Sequence, residues 1–247
     1  MPENDIIKLY NEGFSSIKIA EKYNVTCHTI TSCLKNNGIE LNNIYHNKSL
    51  NRSYFKTIDS YDKAYFLGLI MTDGSVGSNT NEISITLKAE DIDILKVFSE
   101  KIHNENKIYI YKRQEATIKF KSKELKEDLN QYGIIPNKTK YPMSIPNINE
   151  SLISHFIRGL IDGDGWISAK GKQIGFCGCE QLVTEVRDFL VKKLNIYNVK
   201  VLHTDVNVWQ ACWSAKKDME SIGNYIYKDK NDCYLKRKYQ NFMEIPR

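Results

Sequence analysis

The sequence predicts an α+β protein of two pseudo-symmetric half-domains, each ordered αββαββα, preceded by a small all-α module. Three observations predict it. An apolar helix ending in Asp-Gly occurs twice, with Asp73 and Asp164 separated by 91 positions. After each copy, stretches of period-2 alternation and stretches of helical period follow in the same order. The first forty residues hold three short helical patterns and no strand pattern.

Taken in order, Asp5 to Tyr10 reads as a helix and Asn11-Glu12-Gly13 as a turn. Ser15 or Ser16 can cap a second helix, with Ile17, Ile19, Ala20 and Tyr23 as its apolar positions. Asn24-Val25 makes a tight turn, Thr26 caps a third helix, and Gly38 closes it. Two short helices around a tight turn form a helix-turn-helix pattern over residues 1–42. Its third helix would offer His28 and Thr29 to a DNA groove, with Lys35 near a phosphate. Five Lys and no Arg against five acids over residues 1–48 leave this module uncharged overall, so a pure packing role is the competing reading.

Residues 43–58 are polar and Asn-rich and read as a linker carrying Lys48, Arg52 and Lys56. The first half-domain then spans 59–148 and the second 149–247. Each opens with its Gly-Leu-Ile helix, residues 60–74 and 149–165. Each continues with a hairpin, a helix, a second hairpin and a closing helix. Both end in a basic tail, Asn137-Lys138-Thr139-Lys140-Tyr141 and Leu235-Lys236-Arg237-Lys238-Tyr239.

The net charge of +5 suits a polyanionic partner without requiring one. No run of about 18 apolar residues marks a membrane span, and the N-terminus lacks a secretory pattern. The expectation is an intracellular protein with no membrane partner. Six cysteines without Cys-x-x-Cys spacing read as reduced structural thiols.

The paired motif carries the chemistry. Gly68 and Gly159 sit inside helices, where glycine costs about 1 kcal/mol relative to alanine. Close approach of two helix backbones would explain both, and would bring Asp73 and Asp164 together at the helix C-terminal ends. Helix C-termini disfavour carboxylates, and two carboxylates repel. Divalent cations would resolve the conflict. Asp73 and Asp164, with the carbonyls of Thr72 and Gly163, are hard oxygen ligands suited to Mg²⁺. Gly74 and Gly165 would let the chain turn out of each helix.

The segments Phe66–Gly74 and Ile157–Gly165, with "YGIIPNKTKYP" and "YLKRKYQNF", resemble the LAGLIDADG homing endonucleases in their two-motif, single-chain form. The resemblance implies a saddle of antiparallel sheets on duplex DNA and a staggered double-strand break. It also implies two or three Mg²⁺ ions shared by Asp73 and Asp164, and a monomer. Lys88, at the end of the second strand, takes the place of a basic residue that organises solvent. Its counterpart in the second copy falls at Gly178, with Lys170, Lys172 or Lys216 as substitutes. Met71 stands where the second copy has Asp162.

Strand alternation nominates the DNA-reading face. It comprises Ser84, Thr86 and Lys88, then Tyr109, Tyr111 and Arg113, then Lys119 and Lys121. In the second copy it comprises Ser168, Lys170, Lys172 and Gln173, then His203 and Gln210. Ile108 and Ile110 would face the core. Two alternatives share the scaffold: a DNA-binding regulator that does not cut, and an intron RNA maturase.

Overall fold

The computed structural model describes residues 2–12, 14, 16–39, 49–106, 108–111, 114–170 and 172–245, without the side chain of Tyr111. The chain divides into two compact units, Met1–His46 and Asn47–Arg247. Among the described residues, no helix is long and apolar enough to cross a membrane.

The first unit contains three helices, α1 (Glu3–Asn11), α2 (Ser16–Tyr23) and α3 (Cys27–Asn36). Asn24 takes a positive φ of 52° between α2 and α3, a left-handed turn that Asn tolerates. The Thr26 hydroxyl accepts from the Thr29 amide at 3.2 Å and caps α3. Gly38, at φ 69°, ends it. Ile6, Tyr10, Ile19, Ala20, Ile30, Cys33 and Leu34 form the core. Ile17, expected in that core, is 51% exposed, because α2 is short and buries only Ile19 and Ala20. Ser15 and Gly13 lie outside the described residues.

The second unit is built on two helices, α4 (Tyr61–Asp73) and α7 (Ile153–Asp164). The first sheet has the order β1-β2-β4-β3, from β1 (Gly74–Val76), β2 (Glu82–Lys88), β3 (Tyr109–Tyr111) and β4 (Glu115–Lys121). The second has the order β5-β6-β8-β7, from β5 (Gly165–Ser168), β6 (Gln173–Gly178), β7 (Leu202–Asp205) and β8 (Val208–Trp213). Every pairing is antiparallel. Helices α5 (Ile92–Lys101) and α6 (Lys123–Gln131) complete the first half; α8 (Glu180–Leu194) and α9 (Lys216–Tyr227) complete the second. Both halves therefore have the expected αββαββα order. Inward residues Ile83, Ile85, Ile118 and Phe120 in the first sheet, and Ile174 and Phe176 in the second, join one core with α4 and α7.

Three further expectations are corrected. Of the stretch read as a linker, residues 43–48 lie outside the described residues, but Leu50, Tyr54, Phe55 and Ile58 are buried against Phe98 and α4. Four apolar residues among many polar ones do not look like a core segment, yet they insert as one cluster. Ile110 is 65% exposed, because β3 is a three-residue edge strand. Gly74 and Gly165 are extended, with φ of −84° and −111°, so neither supplies a left-handed turn. They supply space instead: a Cβ would stand 2.5 Å from the Ile70 carbonyl at Gly74 and 2.6 Å from the Ile161 carbonyl at Gly165. The two basic tails, alike in sequence, take different conformations. The first is a 3-10 turn at Lys138–Lys140, and the second is a helix, α10 (Lys236–Met243).

Candidate active site

Helices α4 and α7 pack more extensively than any other pair of elements. Their contact is backbone on backbone. A Cβ on Gly68 would strike the Phe156 carbonyl and stand 3.0 Å from the Leu160 nitrogen. A Cβ on Gly159 would strike the Tyr65 carbonyl and stand 2.8 Å from the Leu69 nitrogen. Each glycine thus presses into the turn that contains the other. This crossing brings the C-terminal ends together: a Cβ on Gly163 would collide with the Thr72 side chain and stand 3.0 Å from Asp73 Oδ2. The Asp73 carboxylate therefore lies against the end of the opposite helix.

The electrostatics follow. Asp73 is half-buried, and burial with the adjacent Asp164 raises its pKa to about 6. Asp164 opens to solvent on one side, and the protein packed on its other side raises its carboxyl above the usual range. Two lysines offset this at both acids, and Arg237 adds to them at Asp73. Lys138 Nζ is buried and donates to the Gly74 carbonyl. Lys238 Nζ is buried and donates to the carbonyls of Ile161 at 2.6 Å, Asp162 at 2.7 Å and Gly165 at 2.7 Å, and to Gly163 at 3.4 Å. Burial lowers the pKa of both lysines, that of Lys238 to about 8. Both tails thus return a lysine to the carbonyl of the glycine following an acid.

The paired tails are visible in the sequence, which gives their lysines no role and points to Lys88 as the basic position instead. Lys88 is exposed, 3.8 Å from Glu90. It lies three residues past Ile85, the partner of Gly74, so about 10 Å along the strand from that pairing. The cations acting on Asp164 are Lys138 and Lys238. Register also corrects the counterpart of Lys88. Gly74 pairs with Ile85 as Gly165 pairs with Phe176, so Lys88 matches Cys179 rather than Gly178. Thr86 likewise matches Cys177, whose thiol donates to the Asp164 carbonyl at 3.1 Å. The proposed substitutes Lys170 and Lys172 are exposed at the β5–β6 turn, and Lys216 opens α9.

Among the described residues no cluster of three or more His, Cys, Asp or Glu side chains suits a metal ion. The donor set is instead two carboxylates at adjoining helix ends, with free-end carbonyls beside them. Hard oxygens, a raised carboxyl pKa and an open side at Asp164 fit a magnesium-type cation. The Gly163 carbonyl, one expected ligand, already receives the long Lys238 bond. The Thr72 hydroxyl donates back to the Leu69 carbonyl at 2.9 Å.

The nominated base-reading residues fall on both sheets. Ser84 pairs with Lys119 in register, and Thr86 faces Thr117 with hydroxyl oxygens 2.9 Å apart. Thr117 itself is buried. Tyr109 is 52% exposed on the edge strand, and Lys121 closes β4. Ser168 pairs with Gln173. His203 lies 4.6 Å from the Trp209 ring, and Gln210 faces Cys177. Arg113 lies outside the described residues, as does the side chain of Tyr111. In the first unit His28 and Thr29 are exposed on α3, with the Thr29 hydroxyl 2.9 Å from that of Thr26.

No family model matches the chain. One curated protein, the DNA-directed RNA polymerase subunit Rpo1C of Methanocaldococcus jannaschii, is 25% identical over 205 residues. That match covers 75% of this chain but only 23% of the subunit. Among solved structures, full-length DUF199/WhiA from Thermatoga maritima aligns with a TM-score of 0.51 at 15% identity, over 79% of this chain and 63% of that one. The LAGLIDADG meganuclease I-AabMI, bound to uncleaved DNA, aligns with a TM-score of 0.50 at 14% identity, over 72% and 87%. Meganuclease I-SmaMI, bound to uncleaveable DNA, aligns with a TM-score of 0.51 at 11% identity, over 74% and 89%. The chain has the LAGLIDADG fold.

Proposed function

We propose that this protein is a site-specific endonuclease that hydrolyses both strands of a long, asymmetric duplex DNA site, leaving a staggered break. One observation carries the reading: Asp73 and Asp164 meet at the ends of two helices locked by reciprocal glycine contacts. A core that needed only close helix packing would have no use for two partly buried carboxylates at one point. Asp73 and Asp164 would hold divalent cations, with backbone carbonyls of Thr72 and Gly163 as further oxygens. A bound cation of this type lowers the pKa of water and stabilises a leaving phosphate oxygen. Lys138 and Lys238 hold positive charge beside the acids, where phosphate charge would collect. The sheets supply the DNA surface: Ser84, Thr86 and Lys119 on one, Ser168, Gln173, His203 and Gln210 on the other. Hydroxyl and amide groups there would read base edges, and lysines would hold phosphates. The three-helix unit would add contacts through His28 and Thr29. The account requires one chain per site, because both acids come from one polypeptide.

A second reading, a DNA-binding protein that does not cut, rests on Lys238, which already neutralises the carbonyls at the end of α7. One experiment separates the two. A duplex is enriched from a random library by binding to the protein, cloned into a supercoiled plasmid, and incubated with Mg²⁺ or with EDTA. Linear product with Mg²⁺ alone, with ends mapping to the selected site, supports the nuclease. Tight binding without nicks or breaks in Mg²⁺ or Mn²⁺ supports the second reading.

A further inference from the structure

Among the described residues, the two motif helices differ by a buried charge at positions 158 and 162, and Asp162 is the one that faces the start of the returning helix. Met71 fills the matching place in α4 with an apolar side chain. Asp162 is 1% exposed. Its Oδ2 accepts from the Tyr65 hydroxyl of the facing helix at 2.9 Å and from the Leu235 amide at 2.9 Å. Leu235 is the N-cap of α10, three residues before Lys238. One turn inside that helix, Lys238 Nζ reaches the carbonyls at the end of α7. Arg158, one turn before Asp162 in α7, grips the same returning chain. Its Nε donates to the Cys233 carbonyl at 2.7 Å and its Nη1 to the Ile226 carbonyl at 2.6 Å. In α4 the matching residue is Leu67. The first half has no such tether among the described residues, and its Lys138 rests on the Gly74 carbonyl alone.

We propose that Asp162 is a positioning residue: it fixes the start of α10 so that Lys238 stands at the end of α7, giving the half that carries Asp164 an internal tether the other half lacks. This rests on the nuclease reading for its consequence, unequal dependence of the two strand cuts on residue 162. It does not rest on that reading for the tether itself. A purely structural Asp162 would affect both cuts alike when removed. A tether for Lys238 affects one.

The test compares wild type with Asp162→Met, which imports the first half's own residue, and with Asp162→Asn, which keeps an oxygen acceptor for Leu235 and Tyr65. Arg158→Leu/Asp162→Met imports both first-half residues and avoids an unpaired buried guanidinium should the single methionine variant fail to fold. Val186→Ala, a small cavity in α8, serves as the stability control. The first readout needs no DNA. Lysines are acetylated with acetic anhydride under native conditions, and Lys238 and Lys138 are quantified by mass spectrometry. The second uses the selected duplex labelled on each strand. The expected result is at least a fivefold rise in Lys238 acetylation in the methionine variants with Lys138 unchanged. With it comes at least a tenfold loss on one strand and less than threefold on the other. Asp162→Asn should restore both readouts to near wild type. The tether is overturned if Lys238 stays protected in the folded methionine variants, or if both strands slow equally. If wild type binds the duplex but never cuts it, the nuclease reading fails, and the acetylation result still decides the tether.

Discussion

The two halves of the second unit share a backbone plan and differ in what surrounds their acids. In the first half, Leu67 and Met71 pack apolar against the interior, Thr86 meets Thr117 across β2 and β4, and one lysine touches one carbonyl. In the second, Arg158 and Asp162 form a buried polar network, Cys177 replaces the threonine, and one lysine spans the helix end. The acid, the helix glycine and the strand register stay at matching positions. The difference teaches which features the crossing dictates. Two helices whose backbones touch admit only glycine at the contact, whereas a side chain one turn away can be apolar or charged if its partners change with it.

The largest effect expected from breaking this comparison comes at the shared feature. Gly68→Ala and Gly159→Ala each place a methyl on an opposing carbonyl, and each should cost about 3 kcal/mol, at the upper end for overpacking. Urea unfolding of both would check this. Equal losses would confirm that the crossing is symmetric, and a loss below about 1 kcal/mol in either would break it. Next come the lysines, where the halves should part. Lys238→Met strips a donor from several buried carbonyls and should cost about 2 kcal/mol; Lys138→Met, losing one such bond, should cost about 1 kcal/mol. Reversal of that order would contradict the tethered second half.

A smaller effect concerns pH. The Asp73 pKa is raised to about 6, so the folded state binds its proton more tightly than the unfolded chain does. Ionised Asp73 therefore lowers stability. That cost is absent below about pH 4 and complete above about pH 6. Asp73→Asn should raise the melting temperature by a few degrees at pH 7.5 without divalent cation, and by nothing measurable at pH 4. Thermal melts across that range check it, and a gain that grows toward low pH would contradict the sign. The smallest effect on chemistry should follow removal of residues 1–46. Binding should weaken and its salt dependence flatten slightly, while cutting at the same phosphates persists.

Much of this was legible in the sequence. The strand Ile83–Leu87 alternates in sequence and in burial, so its inward residues could be named. The helix glycines announced the crossing, because nothing else explains glycine at one offset in two apolar helices. Less legible was anything set by a partner distant in the chain. Leu50, Tyr54, Phe55 and Ile58 are separated by polar residues and form a cluster only against Phe98 and α4. Ile110 alternates correctly, but alternation cannot show that β3 is a short edge. Lys138 and Lys238 follow their acids by 65 and 74 positions. Equal spacing would have paired them; unequal spacing hid the match, and the shared basic tail ending in Tyr was the signal that could have found it. Lys88 invites the role because it lies at a strand end, whereas register places it beyond the acid.

The most direct test of the central claim is cutting of the selected duplex in Mg²⁺ by Asp73→Asn and by Asp164→Asn, with binding measured on the same samples. Each single variant should bind within about threefold of wild type, since the sheets carry recognition, and neither should produce linear plasmid. Double-strand breaks at the wild-type rate from either variant would contradict a centre shared by the two acids.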